Sequence, residues 1–178
     1  FAKRRYSEDY PWAPTDEERE VSNKLIEENW AHGNLDELRD LVPSLAHDSG
    51  FMDWFASYLR SGASPKAALL LHKQCTHIDV TDILGSIQVP TLLLFIKEDE
   101  EIKVDEGRYI VERVPNSKLV EFSGRDHLFW TGDTYPVLAE MEEFVTGIRP
   151  NRTQFQKNNP TGKKDGIDLE KVMSENFL

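Results

Sequence analysis

The sequence predicts an α/β protein organised around one strand–helix–strand unit near its middle. Thr91–Ile96 is a short apolar run bounded by proline and charged residues, which is typical of a buried strand. Residues 104–114 place their apolar side chains near helical spacing, and Pro115 ends that pattern. Residues 118–122 form a second apolar stretch. A strand, a helix and a strand within about thirty residues form a βαβ unit, so the two strands should be parallel.

The first half of the chain carries the start signals of three amphipathic helices. Thr15 and Glu18 form a capping box, Asp48 or Ser49 caps the second helix, and Ser64 caps the third. We expect these helices at about residues 16–30, 50–61 and 65–76, with shorter helices at 35–42 and 79–86 and a last one at 135–145. The side chains predicted to face inward are Val21, Leu25, Ile26 and Trp30; Phe51, Trp54, Phe55, Tyr58 and Leu59; and Val137, Leu138, Met141, Phe144 and Val145.

Two strands are fewer than an α/β sheet needs. Such sheets contain about five or six strands, and both strands here are apolar enough to require neighbours on each side. We therefore expect the chain to be part of a larger α/β domain. Its sheet edge would pair with the remaining N-terminal part of the fold or with another chain.

An acid and a histidine follow the two predicted strands. Asp99 comes directly after the first strand and His127 directly after the second. The carboxyl ends of parallel strands lie at one edge of a sheet, where active sites form. The order acid then histidine matches the last two members of a nucleophile–acid–histidine triad. The alternative is structural, because an aspartate after a strand often caps a turn.

Composition excludes several classes of function. The net charge of −11 argues against a nucleic-acid partner, and no apolar run approaches the twenty residues of a membrane span. The single cysteine, Cys75, indicates a reducing, cytoplasmic location. His72, His77 and Asp79 lack the spacing of a metal site, so we expect no metal and no cofactor. Other expectations are that Asp126 is a turn residue and that most aromatic residues of the helical part, namely Trp12, Trp30, Phe51, Trp54 and Phe55, pack within a lid.

Several short motifs, taken in order, resemble the α/β-hydrolase domains joined to class III adenylate/guanylate cyclases. The resemblance runs from about Tyr10 to Gly147. The segments that carry it begin at Tyr10, Pro43, Ala63, Ile78, Val89, Gly107, Gly124 and Phe144, and read YPWAPTDEER, PSLA, ASPKAA, IDV, VPTLLL, GRY, GRDH and FVTG.

The resemblance implies the C-terminal portion of an α/β-hydrolase fold, a parallel βαβ unit with a helical lid. Residues 1–78 would be the end of a preceding core segment plus the lid, residues 79–147 the C-terminal core, and residues 148–178 a polar linker or tail. Asp99 matches the catalytic acid and His127 the catalytic histidine. The glycine that usually precedes the acid is replaced by Glu98, which makes Glu98 a rival acid. The Gly-x-Ser-x-Gly nucleophile elbow is absent, so the serine would lie outside this chain.

Two functions are compatible with these expectations. The first is an esterase-type hydrolase that acts on a small ester-like substrate. The second is a noncatalytic, hydrolase-like module that binds a small ligand and regulates a nucleotide cyclase or another signalling domain. The fold alone does not separate them.

Overall fold

A computed structural model describes residues 1–30 and 36–153 of the chain. The chain divides into two compact units, residues 1–127 and residues 128–178. The helices are α1 (Asp16–Asn29), α2 (Asp36–Leu41), α3 (Ser49–Gly62), α4 (Pro65–Cys75), α5 (Val104–Val111) and α6 (Tyr135–Thr146); the strands are β1 (Thr91–Ile96) and β2 (Ser117–Phe122), and short 3₁₀ turns occupy Pro43–Leu45 and Thr81–Ser86. None of the helices in these ranges is both long and apolar enough to cross a membrane.

The predicted βαβ unit is present. Strands β1 and β2 pair in parallel, with Thr91 opposite Ser117 and Ile96 opposite Phe122. Helix α5 packs on both strands and ends at Val111, three residues before the predicted end. The prediction that β1 is fully buried is wrong, since all six of its residues are partly exposed. Within the described ranges the sheet contains only these two strands, so each strand has one neighbour and its faces are incompletely covered.

The buried core of the first unit joins the start of the chain to α5. Its fully buried members are Ala2, Tyr10, Ala13, Leu84, Ile110 and Val114. Trp12 packs against this cluster, with ring centroids 5.1 Å from Tyr10 and 5.8 Å from Tyr109. The expectation that Trp12 packs in a helical lid is therefore wrong, because its ring partners are Tyr10 and a tyrosine of α5.

Helix α1 buries two polar residues, and its predicted apolar stripe is only partly buried, with Leu25, Ile26 and Trp30 half-buried. Arg19 and Asn23 are its buried residues, whereas Val21 is 57% exposed. Residues 19 and 23 lie one turn apart on the side facing α4, and Val21 lies about 200° around the helix from Arg19. Asn23 hydrogen-bonds the His72 ring at 3.0 Å, which gives that histidine a structural contact.

Helix α3 turns most of its predicted face inward, because Phe55 is buried and Phe51, Trp54 and Leu59 are partly buried. Asp48 caps it by accepting a 2.9 Å hydrogen bond from the Phe51 amide. Met52, Phe55 and Ala56 are buried, while Tyr58 is 58% exposed. The exposed Tyr58 ring stacks on its helical neighbour Trp54 instead of entering the core, with the ring centroids 5.6 Å apart.

The second unit contains α6 and the residues that follow it. The buried residues of α6 are Val137, Ala139 and Glu140; the predicted inward positions Met141, Phe144 and Val145 are 42%, 41% and 81% exposed. Gly147 ends the helix in the left-handed conformation, at φ +74°.

The residues directly after α6 contact the helix, at the start of the stretch predicted to be a polar linker or tail. Arg149 pairs with Glu140 and Glu143, and the Tyr135 hydroxyl donates a 2.8 Å hydrogen bond to the Pro150 carbonyl. The rest of the predicted tail, residues 154–178, lies outside the described residues. The boundaries proposed at residues 78 and 147 stay predictions.

Candidate active site

Asp99 and His127 meet at the carboxyl end of the sheet. The Asp99 Oδ2 atom lies 2.9 Å from the His127 Nδ1 atom, which is hydrogen-bond distance. The other carboxylate oxygen, Oδ1, accepts the backbone amides of Glu101 at 2.8 Å and Ile102 at 3.2 Å. These contacts fix both carboxylate oxygens, and Asp99 is only 8% exposed, whereas the His127 side chain is 35% exposed.

Hydrogen bonds between the two loops place these side chains together. Where the strands end, the Lys97 amide donates to the Phe122 carbonyl at 2.9 Å and the Glu98 amide donates to the Gly124 carbonyl at 3.1 Å. Gly124 has a φ of +143°, which side chains of other residues rarely tolerate, so a glycine is required at this turn. The parallel register therefore continues past the strands and brings the two loops side by side.

Of the two possible acids, Asp99 is the one that contacts the histidine. Glu98 is exposed, and its backbone takes part in the loop pairing described above. Residues 97 and 98 form a turn after β1 in which the Asp99 amide donates to the Ile96 carbonyl at 3.4 Å, and of the two acids only Asp99 reaches the imidazole.

The contact between Asp99 and His127 favours the charged form of both side chains. The hydrogen bond from Asp99 raises the pKa of His127, and this effect outweighs the burial that would lower it. Burial favours the neutral form of Asp99, but the His127 contact and the two backbone amides together leave the pKa of Asp99 below its ordinary value. Asp99 is an ionised acceptor, so the Nδ1 atom of His127 carries a proton. The Nε2 atom is thereby left as the acceptor of the neutral ring.

A second contact holds the histidine loop, and sequence reasoning missed it. The His127 amide donates to the Leu41 carbonyl at 2.9 Å. Asp126, predicted to be a turn residue, accepts hydrogen bonds from the Ser44 amide at 2.9 Å and from the Ser44 hydroxyl. The sequence signal was weak, since Ser44 and Asp126 are 82 residues apart and neither forms a recognisable motif with the other.

A cleft of about 670 Å³ opens beside the loop that follows Asp99. Arg4 and Glu101 form a 3.3 Å ion pair in its wall. Neither Asp99 nor His127 lines this cleft, so it is adjacent to the pair rather than part of it. In the described ranges no three His, Cys, Asp or Glu side chains are grouped as a metal site would require.

Comparisons with known proteins find similar structures but no close sequence relative. No family model matches the chain, and no curated protein matches it at a significant level. A bromoperoxidase from Bacillus anthracis matches with a TM-score of 0.68 and 22% identity, over 81% of this chain and 54% of its own. A hydrolase from Oleispira antarctica matches with a TM-score of 0.64 and 21% identity, over 79% and 51%. An esterase from Exiguobacterium antarcticum matches with a TM-score of 0.60 and 16% identity, over 82% and 52%.

The chain thus spans about half the length of the solved structures that it matches. Identities of 16–22% reveal shared architecture and carry no substrate or activity from one protein to another. The agreement covers the parallel strand pair and the helices around it. This chain has part of an α/β-hydrolase fold.

Proposed function

We propose that this chain supplies the acid and histidine of an esterase-type hydrolase acting on small ester-like substrates. The observation that carries the proposal is the Asp99–His127 hydrogen bond of 2.9 Å at the carboxyl end of the sheet. Asp99 would hold the imidazole in one tautomer and stabilise its charged form, and His127 would take the proton of a nucleophile at Nε2.

The nucleophile in this proposal is a serine outside the 178 residues. No hydroxyl in the described part of the chain is hydrogen-bonded to His127 Nε2; the ring's one hydrogen bond is to Asp99. The serine hydroxyl would attack the ester carbonyl as His127 accepts its proton. The protonated His127 would then donate to the departing alcohol, leaving an acyl-serine for water to hydrolyse.

A fluorophosphonate probe tests the proposal directly, because it labels only an activated serine. The material is the whole gene product that contains these 178 residues, and p-nitrophenyl acetate serves as the ester. We expect one labelled serine outside the 178 residues and measurable hydrolysis. His127→Ala should abolish both, while His72→Ala, which alters a histidine bonded to Asn23, should retain both.

The alternative is a noncatalytic module that regulates a nucleotide cyclase or another signalling domain. The replacement of the usual glycine by Glu98 beside the acid is the feature that favours it. A folded gene product that neither reacts with the probe nor hydrolyses the ester would support the module. Labelling that survives His127→Ala would also count against the hydrolase proposal.

A further inference from the structure

The loop that carries His127 is fastened at two successive residues to one short segment of the helical part. That segment, the 41–44 segment, consists of Leu41, Val42, Pro43 and Ser44. Its Leu41 carbonyl accepts the His127 amide, and its Ser44 amide and hydroxyl both donate to the Asp126 carboxylate. Three hydrogen bonds therefore converge on two adjacent residues of the loop.

The 41–44 segment is itself well anchored, so it is able to serve as a fixed support. Val42 is fully buried, and its carbonyl accepts the Leu45 amide at 3.0 Å. The Arg39 guanidinium donates to the Ala46 carbonyl at 2.6 Å, which closes the turn from the other side. A support fixed in this way limits the movement of the loop bonded to it.

The geometry assigns Asp126 and Ser44 to a clamp that positions the His127 imidazole against Asp99. The loop is secured at its start by the Glu98–Gly124 hydrogen bond and at its end by this clamp. Asp126 bonds the 41–44 segment and is not the acid that bonds the imidazole, so it acts as a positioning residue. Only the effect of the clamp on catalysis rests on the proposed function. The clamp would orient the ring whether or not the protein is an enzyme.

The strength of the Asp99–His127 contact is the quantity that the clamp should control. The hydrogen bond and charge of Asp99 raise the pKa of His127, as does Glu101, whereas burial and Arg4 lower it. If the loop moved away from Asp99, the hydrogen bond with Asp99, which contributes most to the raised pKa, would weaken. The pKa of His127 would then fall towards its ordinary value of 6.5. A residue that merely stabilised the fold would leave this pKa unchanged in protein that is still folded.

The experiment is a pH titration of the His127 ring by NMR in the whole gene product labelled at histidine. Asp126→Ala removes both contacts with Ser44, and we expect it to lower the pKa of His127. Ser44→Ala removes only the hydroxyl contact and should cause a smaller fall. Asp126→Asn retains an acceptor and a donor in the same positions while removing the charge, so it should restore most of the original pKa.

The matched control is Asp79→Ala. Asp79 likewise accepts from an amide and a hydroxyl, those of Thr81 at 3.1 and 2.6 Å; it also pairs with Lys3 at 3.4 Å, and it is not among the groups that shift the pKa of His127. This variant should leave the His127 titration unchanged. An equal fall in Asp126→Asn and Asp126→Ala would overturn the clamp, because charge alone would explain it. The clamp would also be overturned if folded Ser44→Ala and Asp126→Ala proteins kept the His127 pKa of the parent protein.

Ester hydrolysis separates failure of the clamp from failure of the proposed function. If the hydrolase proposal holds, Asp126→Ala should lower kcat about tenfold to a hundredfold with little change in KM, since general-base catalysis contributes about that much or more. Without hydrolysis in the parent protein, the titration still decides whether the clamp exists.

Discussion

The Tyr10 hydroxyl donates a 2.6 Å hydrogen bond to the Glu106 carboxylate, and both side chains are essentially inaccessible to water. The same hydroxyl accepts the Ala2 amide at 3.1 Å. This contact links the start of the chain to α5 across 96 positions of sequence. Burial is the largest cause of the raised pKa of Tyr10, which keeps the phenol protonated as a donor.

Tyr10→Phe should therefore destabilise the protein by about 1–3 kcal/mol, because it leaves the buried carboxylate and the Ala2 amide without this partner. Urea unfolding measures the change. Tyr109→Phe is the control: its ring packs in the same cluster, but no hydrogen bond of its hydroxyl is seen in the described structure. Equal losses in the two variants would show that the Tyr10–Glu106 bond contributes nothing specific.

Stability should depend on pH through the Asp99–His127 pair. The raised pKa of His127 gives a contribution that is complete below pH 6.5 and lost as the pH rises through the folded value. The lowered pKa of Asp99 gives a contribution that is complete above pH 3.8 and lost as the pH falls through its folded value. The two overlap between pH 3.8 and 6.5.

Asp99→Asn should consequently cost more stability at about pH 5.5 than at about pH 8.5, since the charge of His127 is lost as the pH rises through its folded pKa. Denaturant unfolding of both proteins at each pH gives the two differences. If they are identical, His127 does not gain its charge through Asp99. In the proposed hydrolase the same substitution should lower kcat by about four orders of magnitude, because the imidazole then adopts the wrong tautomer.

The close packing of α5 on β1 predicts a penalty for any side chain at position 107. A Cβ atom on Gly107 would lie 2.7–2.9 Å from three ring carbons of Phe95, closer than carbon atoms approach without movement. Gly107→Ala should destabilise the protein by about 1–3 kcal/mol, as overpacked cores do. Thermal and urea unfolding test it. Gly62→Ala, with nothing within 4 Å of its Cβ, should be neutral or slightly stabilising; a neutral Gly107→Ala would contradict the packing described.

Arg149 should stabilise the end of α6. It pairs with Glu140 and Glu143, and its side chain is 46% exposed, so solvent screens the interaction. Arg149→Ala should destabilise the end of α6 slightly and speed amide hydrogen exchange in the last turn of the helix. Arg60→Ala, at the exposed last turn of α3, is a suitable comparison. Unchanged exchange near Thr146 would show that the two ion pairs do not stabilise the helix end.

Local sequence was sufficient for the features that depend on near neighbours. The capping box of Thr15 and Glu18 and the Ser64 cap are present because each satisfies amides within its own first turn. The βαβ unit followed from apolar runs and helical spacing. The closeness of Asp99 and His127 then followed from topology, because parallel strands end at one edge.

Tertiary structure decided the features that depend on a partner distant in sequence. The buried face of α1 is set by hydrogen bonds to the α4 region, from Arg19 to Thr76 and between Asn23 and His72. The spacing of apolar residues does not reveal such polar contacts. Arg149 binds back to α6 through ion pairs with Glu140 and Glu143. Composition alone does not show whether such charged residues are paired or solvated.

The sequence by itself determined the fold class, the strand pair and the sheet edge at which an acid and a histidine meet, because these depend on local periodicity and chain direction. Only the tertiary structure decided that Asp99 rather than Glu98 bonds the histidine and that Asp126 bonds Ser44 across 82 positions. The physical reason is that side-chain hydrogen bonds require positions fixed within a few tenths of an ångström. Such positions arise only when separate segments pack together.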